Sequence, residues 1–107
     1  MVLEQDTYIE RNNLVLRLER NQREVGQLKN KLNSYVCEPK TYSLFERIET
    51  LKTGLDRLSI SNREILQALK ERKKSVGDHL ENIRQQLSEF HELQQGVHDY
   101  VRGVRNV

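Results

Sequence analysis

The chain is poor in the residues that make turns, staples and broad cores. Among 107 residues there is no tryptophan, one proline, one cysteine and five glycines. A sandwich or barrel needs many tight turns, which so few glycines and prolines cannot supply. One cysteine builds no internal disulfide framework, so a reducing compartment is the default expectation. The glycines stand singly, which excludes a glycine-rich phosphate loop. No run of about 18 apolar residues occurs, so no membrane-spanning helix is expected. The opening Met1-Val2-Leu3-Glu4-Gln5-Asp6 has neither the basic start nor the apolar stretch of a signal peptide. Lys plus Arg number 18 and Asp plus Glu 16, a net charge of +2. A dedicated nucleic-acid binder shows a more concentrated basic excess. The expected location is cytoplasmic or nuclear.

What the chain does have is periodicity. Hydrophobic residues make up 36% and charged residues 32%, against roughly 45–50% and 25% in average soluble chains. The apolar residues are nonetheless regularly spaced, which argues against disorder. Leu14, Leu18, Val25, Leu28 and Leu32 form a heptad stripe, with Tyr35 in step and Val36 slightly off phase. This predicts a first helix over about 5–36, its other face solvated by Arg17, Glu19, Arg20, Arg23, Glu24, Lys29 and Lys31. Asn21 occupies a core position where a polar residue can set register at a cost in stability. Glu38-Pro39 ends the helix, because proline lacks the backbone donor and restricts the residue before it. A short corner from Cys37 to Thr41 is expected between antiparallel helices.

Beyond the corner one phase persists. Ile48, Leu55, Asn62, Leu69, Val76, Ile83, Phe90, Val97 and Val104 recur every seventh residue. The companion set is Leu44, Leu51, Leu58, Ile65, Arg72, His79, Gln86, Leu93 and Tyr100. Its polar members cluster at Arg72 to Gln86, where the stripe shifts to Val76, Leu80, Ile83, Leu87 and Phe90. A rotated contact face of this kind implies a change of helix partner. Ser61 and Glu64 match a capping box, which favours a break near Ser59 to Asn62; Gly77 marks an alternative. The expected fold is all-α, an elongated coiled coil or three-helix bundle in one domain over 1–107. Helix 2 is placed at about 40–59 and helix 3 at about 62–104. If the two were continuous, the helix would reach about 100 Å at about 1.5 Å per residue.

Catalytic and metal chemistry is thinly provided. His91 and His98 share a helix face seven residues apart, whereas metal sites use closer pairs and further ligands. Cys37 has no nearby histidine and reads as a small buried thiol. Carboxylates alternate with Lys and Arg at helical spacing, as solvated faces do. The expectation is a non-enzyme without cofactor, metal or small-molecule substrate. The densest basic stretch, Lys70, Arg72, Lys73 and Lys74, is a candidate contact for an acidic partner, its alternative being a solvated helix face. Ser75 beside it is a candidate phosphorylation site, which would add negative charge at the rotation point.

The spacing Leu18, Val25, Leu28, Leu32, Val36, then Pro39, Leu51-Lys52 and Leu58, then Leu69-Lys70-Glu71, Lys73 and Val76 resembles subunit two of the spindle and kinetochore-associated complex. That resemblance implies a helical scaffold intertwined with related subunits, joining kinetochores to spindle microtubules. A second resemblance is to the BAG domain, a three-helix adaptor for the Hsp70 ATPase domain: Glu46 and Asp56 have its acidic spacing and Arg72 its basic position, with Leu80 where glutamine is due. Small helical subunits of vesicle-tethering complexes such as BLOC-1 are also similar. On these readings the interface with partner helices is carried by Leu18, Val25, Leu28, Leu32, Ile48, Leu51, Leu55, Leu58, Ile65, Leu69, Val76, Leu80, Ile83, Leu87, Phe90 and Val97. The expected partners are other coiled-coil proteins in a hetero-oligomer, with self-association as the alternative.

Overall fold

A computed structural model of the chain describes residues 3–71 and 76–105, with side chains from Arg11 onward. Three long helices account for nearly all of the described residues: α1 Leu3–Leu32, α2 Tyr42–Lys70 and α3 Val76–Arg105, with a 3-10 turn at Tyr35–Cys37 between the first two. Each helix packs on both others. Cross-helix contacts set the directions. Gln22 meets Ser59 while Lys29 meets Asp56, so α1 and α2 run antiparallel. Asn62 meets Gln86 and Gly54 faces Leu93, so α2 and α3 do too. The result is an up-down-up rod measuring 58 × 26 × 17 Å.

Helix boundaries follow local chemistry. The α-helical part of α1 stops at Leu32, short of the expected residue 36. Ser34 turns its hydroxyl back onto the Lys31 carbonyl at 2.6 Å while its amide takes the same oxygen at 3.1 Å. A serine that bonds nearby backbone in this way competes with the helix ladder. The chain then tightens into the 3-10 turn, which leaves Tyr35 88% and Val36 67% exposed instead of extending the stripe. Pro39 follows in the corner. Thr41 caps α2, its Oγ1 accepting the Leu44 amide at 3.1 Å, a bond that satisfies one of the orphan donors of the first turn.

The break expected at Ser59 to Asn62 is absent: α2 runs unbroken through it. Ser61 and Glu64, read as a capping box, lie inside the helix, and two residues beside them bond across helices. Ser59 Oγ accepts from Gln22 Nε2 at 2.9 Å and from Arg63 at 3.2 Å, and Asn62 is fully buried. The chain reverses between Lys70 and Val76 instead, so helices 2 and 3 are separate and α3 starts at Val76 rather than near residue 62. This lies inside the region where the heptad phase rotates. The rotation has a plain cause: α3 contacts two helices and needs a wider stripe than a two-stranded seam. Gln86 and Leu87 are accordingly both buried, as are Tyr100 and Val101.

A polar layer divides the interior. Gln22 from α1, Asn62 from α2 and Gln86 from α3 meet as a chain of amides. Asn62 Nδ2 donates to Gln22 Oε1 at 3.0 Å, and Gln86 Nε2 donates to Asn62 Oδ1 at 2.8 Å. On the corner side of it lies a cluster containing Val25, Leu32, Cys37, Ile48, Leu55, Leu58, Phe90, Val97 and Tyr100. On the other side lies a smaller cluster of Leu14, Leu18, Ile65, Ile83 and Leu87, with Val15, Leu66, Leu69, Val76 and Leu80 half-covered around it.

Candidate interaction surface

Of the residues that the sequence assigns to an interface with partner helices, Leu18, Val25, Leu28, Leu32, Ile48, Leu51, Leu55, Leu58, Ile65, Ile83, Leu87, Phe90 and Val97 are covered by the chain's own helices. Leu69, Val76 and Leu80 are half-buried against the smaller cluster. The heptad seam is therefore filled from within the chain. Asn21, the polar core residue expected in α1, is half-buried; its neighbour Gln22 makes the bond to Asn62. Position 22 flanks the seam, and only the packing of α2 beside α1 turns it inward.

Leu16 and Ile60 stay exposed along the helices, and four further apolar side chains are left outside at one end. Tyr35 and Val36 in the 3-10 turn, and Tyr42 and Phe45 in the first turn of α2, are 88%, 67%, 77% and 50% exposed. All four lie between positions 35 and 45, at the corner end of the rod. A cavity of about 300 Å³ opens there, lined by Tyr35, Val36, Glu38, Lys40, Val104 and Arg105. The corner is held by one long-range bond: the buried Tyr100 hydroxyl donates to the Cys37 carbonyl at 2.7 Å. Burial, and secondarily the charge of Cys37, raises the Tyr100 pKa above 10.0. The sequence reading missed Tyr42 and Phe45. Their signal was present: aromatic side chains lying off the heptad seam have no place in the bundle's own interior.

A second depression of about 410 Å³ lies on α2 beside the exposed Ile60, with Arg63, Glu64, Gln67, Ala68 and Glu71. Lys70 is exposed at the end of α2, while Arg72, Lys73, Lys74 and Ser75 lie outside the described residues. His91 and His98 are exposed on α3. No group of three or more metal-ligating side chains gathers among the described residues, and no described helix is long and apolar enough to cross a membrane. Scans against protein-family models, curated proteins and solved structures find no match to this chain.

Proposed function

We propose that this chain is a non-enzymatic structural subunit, a helical bundle that fills its own interior and joins a larger assembly by receiving partner helices on its outside. The observation that carries this reading is the aromatic end formed by Tyr35, Val36, Tyr42 and Phe45, four large side chains left in water beside a closed core. Exposed aromatic side chains of this kind supply anchors of protein interfaces. In its specific form, taken from the resemblance of the heptad spacing, the assembly is the one that links kinetochores to spindle microtubules. A second reading, a BAG-like adaptor for a globular chaperone domain, draws support from the self-filled core: an adaptor of that kind folds before it binds.

Affinity capture from cells with the wild-type chain and with a Tyr42→Ala/Phe45→Ala variant tests the reading. Both positions are exposed, so the variant should keep its helical circular dichroism while losing the wild-type partners. Kinetochore proteins in the wild-type capture support the scaffold form, and Hsp70 alone supports the adaptor. Identical captures from both chains would remove the aromatic end as the docking site.

A further inference from the structure

The long faces of the rod differ in charge, and the difference follows heptad position. The flank of α1 carrying Gln22 and Lys29 faces α2. Between α2 and α3 the approach is close: a Cβ on Gly54 or Gly96 would lie 2.8 Å from Leu93 or Leu51. The outer edge of α1 stands opposite this α2–α3 groove. Along that edge run Arg17, Arg20, Arg23 and Lys31, all exposed, against Glu19 and Glu24. Leu16 lies among them, 61% exposed. The groove carries the opposite balance. Asp99 and Arg47 line one end of it and Glu49 and Arg57 its middle. Glu89, Glu92 and Glu64 are exposed one heptad from the lining positions Gly96, Asp99 and Arg57, and Arg102 pairs with Asp99 at 3.9 Å. Midway, a cavity of about 440 Å³ opens beside Gly54 and the half-buried Leu93, walled by Thr50, Thr53 and Arg57.

We propose that the basic outer edge of α1 in one copy docks into the acidic α2–α3 groove of a second copy, with Leu16 over the cavity beside Leu93. This reading does not depend on the aromatic end. Opposite charge on the two surfaces steers and orients the contact. The two surfaces lie on opposite sides of one rod, so a pair of copies cannot satisfy both at once. The contact is heterologous, and copies add side by side in an open row.

Sedimentation equilibrium tests this with the whole chain. In about 50 mM NaCl the weight-average mass should climb steadily with concentration, and in about 500 mM NaCl it should return to the monomer, because screening shortens the reach of exposed charges. Two charge reversals sharpen the assignment: Arg17→Glu/Arg20→Glu/Arg23→Glu on the edge and Glu89→Lys/Glu92→Lys in the groove. Each alone should stay monomeric at low salt with unchanged helicity. Mixed in equal amounts they should associate again, since the reversed edge of one now meets the reversed groove of the other. A wild-type monomer at low salt, a closed dimer of fixed mass, or a mixture that stays monomeric would each overturn the proposal. The salt series on the unaltered chain decides the matter even where a variant misfolds.

Discussion

The two halves of the rod, either side of the Gln22–Asn62–Gln86 layer, are built from the same heptad and finished differently. On the corner side Ile48, Leu55, Leu58 and Val97 are at most 2% exposed, and Tyr100 bonds the connecting turn. On the far side Leu18 and Ile83 are as well covered, but the half-covered rim is wider: Val15, Leu66, Leu69, Val76 and Leu80, against Leu44 and Leu93 on the corner side. There the nitrogens of the half-buried His79, and Arg11 Nε, are buried without a hydrogen-bond partner among the described residues. Unpaired buried polar atoms cost stability that paired ones do not. The comparison teaches that a regular apolar repeat does not by itself close a core. Closure also needs the chain connection and the polar atoms to be satisfied at the same level of the bundle.

Breaking the closed half should have the largest effect. Leu55→Asp puts an unpaired charge at a fully covered site and should abolish the cooperative melt; the milder Leu55→Ala should cost about 2–5 kcal/mol in a urea titration, through the cavity it leaves. Asn62→Leu comes next. It strands Gln22 Oε1 and Gln86 Nε2, and about 1–3 kcal/mol should be lost for each stranded group. Both halves should feel it, since the layer joins all three helices.

Tyr100→Phe should cost about 1–3 kcal/mol by orphaning the Cys37 carbonyl, and hydrogen exchange should quicken first at the corner. It should also change the response to alkali. The Tyr100 pKa is raised in the fold above its ordinary 10.0, so above that value the unfolded chain releases the proton while the folded chain still holds it. That stabilisation is complete below pH 10 and is lost as pH rises through the folded-state value. The wild type should therefore lose stability in strong alkali by a step that the phenylalanine variant lacks. Smallest of all should be Leu80→Ala in the half-covered cluster, about 1 kcal/mol or less, because less area leaves water contact there. A Leu80→Ala cost equal to that of Leu55→Ala would erase the distinction between the halves.

Much of the fold was legible in the residues, and particular positions show why. Ile48, Leu55, Ile83 and Val97 read as seam and are buried, since seven-residue spacing returns a side chain to the same helix face whatever the partner. The corner near Pro39 was legible because proline acts locally. Ser59 to Asn62 misled because the Ser61–Glu64 spacing of a capping box also fits the interior of a helix, and only the neighbours of Ser59 and Asn62 on α1 and α3 show that α2 continues. Of the aromatic end, Tyr42 and Phe45 carried an off-seam signal, but Tyr35 was illegible for the converse reason: it was in phase, and the turn at Ser34 rotated it into water.

The sequence by itself therefore determined helix, amphipathic face and the absence of any sheet, because these depend on spacing along one chain. Tertiary structure alone decided where the long second segment folds back, which polar residues meet inside, and which apolar ones are left out. Those outcomes depend on what lies across the gap between helices, a neighbour that no stretch of sequence contains.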